Sequence, residues 1–223
     1  MESLPTIFNR YNSDKNETFH NYCRQYEPLF ERFRTKDIRL LEIGVFGGES
    51  LKIWRDAFPN AKYIVGVDIN ASCAKFSNPE KGIFVEILNA TEASSIAMLN
   101  DKYGPFDIII DDGSHINVDV FKTFEAAFPL LQEDGIYIVE DTICYEFPNY
   151  VRGSINHLEY FMKFIPILNQ CRQHSISGIR DHCVDPFKIQ KKTTNVFQQG
   201  IDKIEFGCSY IAIHKKTRFH WIP

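Results

Sequence analysis

The hydrophobic pattern of the chain becomes regular at residue 37. From there to residue 145, short β-branched runs alternate with stretches whose apolar positions recur every three or four residues. "IRLLEIGV" (38–45), "YIVGVDI" (63–69), "IFVEIL" (83–88), "FDIIID" (106–111) and "GIYIVED" (135–141) are strand-length. The three successive isoleucines of the fourth predict a strand buried on both faces. Between the runs, Leu51, Trp54 and Phe58 share one helical face, and a second helix is expected over about 90–103, before Gly104-Pro105. A third covers "VDVFKTFEAAFPLL" (118–131), with Phe121, Phe124 and Phe128 on one side. This alternation predicts a parallel sheet covered on both faces, with right-handed crossovers. Near the C-terminus, "DKIEFG" and "SYIAIHK" have only Gly207 and Cys208 between them, a connection short enough only for an antiparallel pair.

The expected fold is α/β: a doubly wound, mostly parallel seven-stranded sheet with a C-terminal antiparallel hairpin and an N-terminal helical lid. Residues 1–36 supply the lid, where Phe19, Tyr22, Tyr26, Phe30 and Phe33 are spaced by three and four. Residues 37–145 form a cofactor-binding core, 146–200 a helical and irregular insertion, and 201–223 the hairpin, all within one domain. In the insertion a helix over "SINHLEYFMKFI" (154–165) is expected to stop at Pro166. The polar stretch beyond it, with Gly178 and Pro186, is long enough to be a functional lid or a mobile segment.

Composition excludes several classes. Of 223 residues, 44% are hydrophobic and 24% charged, which is globular composition. A net charge of −4, with Lys191-Lys192 and Lys215-Lys216 as short basic pairs, gives no reason to expect a nucleic-acid partner. No apolar run approaches the length of a membrane span. The N-terminus has no basic segment followed by an apolar one, so no secretory signal is expected. Six scattered cysteines without a C-x-x-C pair fit reduced thiols in a cytoplasmic protein.

Chemistry is expected at the carboxyl ends of the strands, where open α/β sheets bind ligands. "LEIGVFGGES" ends the first strand in a turn with glycines 44, 47 and 48, followed by a helix N-terminus. Asp68 ends the second strand, where a carboxylate can accept both hydroxyls of a ribose. The turn alone could be a tight strand-to-helix connection; with Asp68 it reads as a site for a ribose-bearing cofactor. Both a nicotinamide dinucleotide and S-adenosylmethionine meet that description. The pattern E-x-G-x-x-G-G, with Phe46 where a pyrophosphate would need glycine, and the acidic Glu42 suit a positively charged cofactor. Asp111 and Asp112 end the fourth strand, and Glu140 and Asp141 the fifth. Carboxylates converging on one rim repel unless a cation lies among them, and an all-oxygen set suits Mg²⁺. His115 is placed to accept a proton from a hydroxyl. The plainer alternative is that "DDG" is an ordinary turn and His115 caps the next helix.

The glycine turn and the hairpin resemble motif I and the sheet edge of the class I S-adenosylmethionine-dependent methyltransferases. More specifically, "DDGSH" followed by "IVEDT", with "SDKNETFHNYCRQYEPLF" and "LEIGVFGGESLKIWRDAFPNA" upstream, resembles the metal-dependent sugar O-methyltransferases of macrolide biosynthesis. The resemblance covers roughly residues 12–146 and extends to the cephalosporin-hydroxylase-like and rhamnosyl O-methyltransferase proteins. It implies Asp112, Glu140 and Asp141 as Mg²⁺ ligands, His115 as general base and Glu27 as a substrate-side residue supporting it. It also implies cofactor contacts from Glu42, Gly44, Gly48, Ser50, Asp68 and Asp111. The activity it implies is methyl transfer from S-adenosylmethionine to a sugar hydroxyl of a glycoside or glycan, in a protein that can form a homo-oligomer. A catechol-like acceptor is the alternative within the fold, and an NAD-dependent oxidoreductase the alternative outside it.

Overall fold

The computed structural model describes residues 1–170 and 200–216; the polar stretch with Gly178 and Pro186 lies outside the described residues. Seven strands form one sheet: β1 (Arg39–Ile43), β2 (Tyr63–Asp68), β3 (Ile83–Ile87), β4 (Phe106–Asp111), β5 (Leu131–Val139), β6 (Ile201–Gly207) and β7 (Tyr210–Lys215). Their order is β3-β2-β1-β4-β5-β7-β6. The first five strands are parallel, and β7 runs antiparallel to both β5 and β6. Strand order therefore reverses between β1 and β4, which opens the crevice where ligands bind in such sheets.

Strand alternation divides the core. Leu40, Ile108, Ile110, Ile136 and Ile138 face one layer, where they meet Trp54 of α3 (Glu49–Ala57). Leu41, Ile109, Tyr137 and Val139 face the other, against α4 (Ala93–Tyr103) and Phe124 of α5 (Asn117–Ala127). β5 begins at Leu131, four residues earlier than its apolar run suggests, because Leu131 pairs with Phe106 before a register shift.

The N-terminal segment is seated firmly on the sheet. Helices α1 (Leu4–Phe8) and α2 (Tyr22–Phe30) are part of the first core layer. Phe8 and Phe30 pack edge-on against Trp54 with centroids 5.4 and 6.0 Å away, and Tyr22, Tyr26 and Phe30 are essentially inaccessible. Burying so much aromatic surface seals the segment to the sheet. α2 starts only at Tyr22, since Asn21 takes a left-handed conformation (φ 56°), so Phe19 falls off the stripe and is 73% exposed. Pro166 does not simply end a helix: α6 (His157–Met162) stops before it, and Pro166 sits in the first turn of α7 (Ile165–Gln170), where its missing N–H costs nothing. No described helix is long and apolar enough to cross a membrane.

Candidate active site

The ends of β1, β2, β4 and β5 meet at the crevice. Gly44 leaves β1 at φ 95°, and a Cβ there would lie 2.0 Å from the Asp112 carbonyl oxygen, so only glycine lets the two turns approach. Beyond β2, Asp68 organises the glycine turn. Its Oδ2 accepts the N–H groups of Val45 (2.9 Å) and Phe46 (3.1 Å), and its Oδ1 that of Asn70 (2.8 Å). Burial alone would raise the Asp68 pKa, but these backbone donors outweigh it and hold it below the usual carboxylate range.

Two cavities open here. One, of about 460 Å³, is lined by Gly44, Asp68, Asn70, Leu88 and Asp111 among others. Asp111 forms part of its floor, accepting the Tyr137 hydroxyl at 3.0 Å, and burial pushes its pKa up to about 7. The other, of about 500 Å³, is lined by Lys15, Gly48, Ser50, His115 and Asp141. Gly44, Phe46, Asp112 and Gly113 border both. Phe46, left-handed at φ 45°, is 95% exposed at this shared rim.

At the junction, donor atoms of Asp112, His115 and Asp141 lie within 4.8 Å of one another, a cluster able to hold a metal ion. His115 Nε2 is 3.7 Å from both Asp112 Oδ1 and Asp141 Oδ2. His115 and Asp141 both adopt left-handed backbone conformations (φ 56° and 51°), which are uncommon for side chains of this kind and recur at functional sites. The Tyr22 hydroxyl lies 2.7 Å from Asp141 Oδ1 and 2.9 Å from the Ser209 carbonyl, and it accepts the Asp141 N–H.

Glu140 is adjacent but differently engaged. It is 2% exposed; its Oε1 accepts the Tyr26 hydroxyl and its Oε2 the Lys15 ammonium. Lys15 Nζ also donates to Asp112 Oδ2 at 2.5 Å. Burial would pull the Lys15 pKa down, but the two carboxylates outweigh it, so the ammonium stays charged. Burial also raises the proton affinity of Asp112 and Glu140, against the opposing pull of Lys15.

Two expected residues lie elsewhere. Glu42 follows the alternation of β1 onto the α3 face, fully buried, where it accepts from Ser50 Oγ (2.7 Å) and Trp54 Nε1 (2.9 Å). It lines neither cavity, and burial lifts its pKa to about 7. Ser50 borders the second cavity but spends its hydroxyl on Glu42. Glu27 follows Tyr26 on α2 and is turned away by about 100°. It accepts the Leu4 N–H at 2.5 Å and lies 3.8 Å from Arg34. Lys15, Tyr22 and Tyr26, more polar than a helical core stripe needs, bring the N-terminal segment onto these carboxylates. The i, i+4 relation of the two tyrosines, on the same buried face of α2 as Phe30, was an available signal.

Residues 41–142 match a family described as a methyltransferase domain. That segment, just under half of the chain, is similar to methyltransferase domains. It runs from within β1 to just past β5 and contains the whole lining of the first cavity and most of that of the second, whose remaining wall is residues 12–15. Among curated proteins the chain is 36% identical over 145 residues to the mycinamicin VI 2''-O-methyltransferase of Micromonospora griseorubida, covering 62% of this chain and 35% of that protein. It is 37% identical over 139 residues to the 8-demethyl-8-α-L-rhamnosyl tetracenomycin-C 2'-O-methyltransferase of Streptomyces olivaceus, covering 59% and 35%. The chain thus spans about a third of the length of the curated relatives it matches. Among solved structures, MycE methyltransferase from the mycinamycin pathway, in complex with Mg and SAH, superposes with a TM-score of 0.81 at 26% identity, over 100% of this chain and 57% of that one. The sheet with its parallel core and antiparallel edge is the fold of that methyltransferase.

Proposed function

We propose that the chain is an S-adenosylmethionine- and Mg²⁺-dependent O-methyltransferase acting on a sugar hydroxyl of a glycoside or glycan. The observation that carries this reading is that two cavities meet at a cluster of Asp112, His115 and Asp141. In this reading the cavity beside Asp68 takes the cofactor, with Asp68 toward the ribose, Gly44 and Gly48 permitting close approach, and Asp111 in the floor. The methyltransferase family match favours S-adenosylmethionine over a nicotinamide dinucleotide. The second cavity takes the acceptor, and the named relatives, one acting on a rhamnosyl-bearing acceptor, support a sugar.

The donor set suits a hard divalent cation. Asp112 and Asp141 would hold it, and Glu140 would join them by releasing Lys15. A bound ion supplies charge neutralisation and lowers the pKa of a hydroxyl it touches. His115 would accept the proton of the acceptor hydroxyl, and S-adenosylmethionine, when bound, would supply the methyl group from its sulfonium. Tyr22 keeps the Asp141 carboxylate oriented. A cytoplasmic setting goes with this reading.

The test is methyl transfer from S-adenosylmethionine to a panel of glycosides and catechols, with S-adenosylhomocysteine as the measured product. Turnover on glycosides that EDTA stops and Mg²⁺ restores is expected. Preference for catechols would replace the sugar, metal-independent turnover would remove the ion, and turnover of NAD instead would overturn the reading.

A further inference from the structure

His115 sits in a left-handed conformation, and a second histidine holds it there. His157, the first residue of α6, is 1% exposed, and its Nε2 lies 3.0 Å from the His115 carbonyl oxygen. A carbonyl can only accept, so Nε2 carries the proton, and burial, which disfavours the charged ring, keeps His157 neutral. Its Nδ1 is buried without a hydrogen-bond partner among the described residues. A core position chosen for packing alone would favour an apolar side chain there, so the orphaned nitrogen is tolerated for the bond that the other one makes.

The mount of this histidine is rigid. Tyr160 of α6 stacks on Phe121 of α5 with centroids 4.0 Å apart, and its hydroxyl donates to Glu125. Asn117, fully buried, joins the same two segments: its amide nitrogen donates to the carbonyls of Arg152 (2.9 Å) and Ile155 (2.6 Å), and its oxygen accepts the Arg152 N–H (2.7 Å). The segment from the "DDGSH" turn to the start of α5 is therefore stitched to residues 152–157 by two buried polar side chains. The preference of a non-glycine residue to leave the left-handed region and the worth of one buried hydrogen bond are of similar size. Losing the bond would let the turn relax.

We propose that His157 is a positioning residue for His115, whose backbone it fixes so that the imidazole lies between Asp112 and Asp141. The catalytic consequence rests on the reading of His115 as base; the tether itself does not. Through it, the seating of α6 controls the geometry of the site.

The test uses His157→Leu, which removes the donor, His157→Gln, whose amide nitrogen can reach the same carbonyl, and His157→Asn, whose amide is too short. Proton–nitrogen correlation spectra of the His115 ring are recorded at one fixed pH, without ligands and during titration with Mg²⁺ alone. The Leu and Asn variants are expected to shift the His115 ring signals and weaken Mg²⁺ binding, and Gln to restore both. In turnover, loss of such a supporting contact should lower kcat about 10-fold with KM for S-adenosylmethionine unchanged. If Leu does not fold, the Gln and Asn pair decides. His115 signals unmoved in the Asn variant, or moved as far by Gln as by Asn, would overturn the proposal. Full turnover in His115→Ala would instead remove the base and leave the tether to the spectra.

Discussion

Replacing Lys15 by methionine separates the electrostatics of the site from its packing. Methionine retains most of the length of the stem and removes only the ammonium, which is held between Asp112 and Glu140. Glu140, 2% exposed, would keep only the Tyr26 hydroxyl as partner. Removing one member of a buried ion pair costs about 3–5 kcal/mol, because the other is left as an uncompensated buried charge. Whole domains are stable by about 5–15 kcal/mol, so the variant should unfold at markedly lower denaturant. The matching control is Lys52→Met, whose exposed pair with Glu49 is worth less than about 1 kcal/mol. The assay is urea unfolding at pH 8, with and without Mg²⁺. Removing Lys15 makes the carboxylate cluster more negative by one charge and frees oxygens on Asp112 and Glu140, so Mg²⁺ should stabilise Lys15→Met more than the parent protein. A variant within 1 kcal/mol of the parent, or one that gains less from Mg²⁺, would refute the view of Lys15 as the internal counter-ion of the site.

Glu42 predicts a pH dependence. Its folded pKa, about 7, lies above its value in the unfolded chain, so the folded state binds the proton more tightly and stability falls as pH rises from about 4.5 to about 7. Glu42→Gln removes that loss, and urea unfolding at pH 5 and pH 8 should show a gain at the higher pH of up to about 3 kcal/mol relative to the lower. Gly44→Ala drives a Cβ toward the Asp112 carbonyl at an unfavourable φ, and calorimetry should show a loss of at least about 2 kcal/mol together with loss of S-adenosylhomocysteine binding.

Much of the fold was legible because burial on both faces leaves a strong mark: the β4 run "FDIIID" has the bounds its pattern gives, Phe106–Asp111. The sheet edge was legible from the shortness of its connection. The depth to which the N-terminal segment is buried was not, because the same aromatic spacing serves a cover over a site and a helix packed into a core. Only the left-handed Asn21 and the contact with Trp54 distinguish them. Asp112, His115 and Asp141 were brought together by topology, since each follows a strand whose end faces the crevice. Glu42 was misdirected by strand alternation, which turned an acid next to the glycine turn under α3 instead of toward a ligand. The polarity of Lys15 was visible, but its role as a counter-ion was not, because its partners lie 97 and 125 residues away.

The most direct measurement is the position of the ion. Crystals grown with S-adenosylhomocysteine and Mn²⁺ as an anomalous substitute for Mg²⁺ would display it. An anomalous peak in contact with carboxylate oxygens of Asp112, Asp141 and Glu140, with Lys15 withdrawn and the nucleoside beside Asp68, is the predicted result. No peak at these residues, with Lys15 still joining Asp112 to Glu140 while the cofactor is bound, would contradict the metal-dependent account.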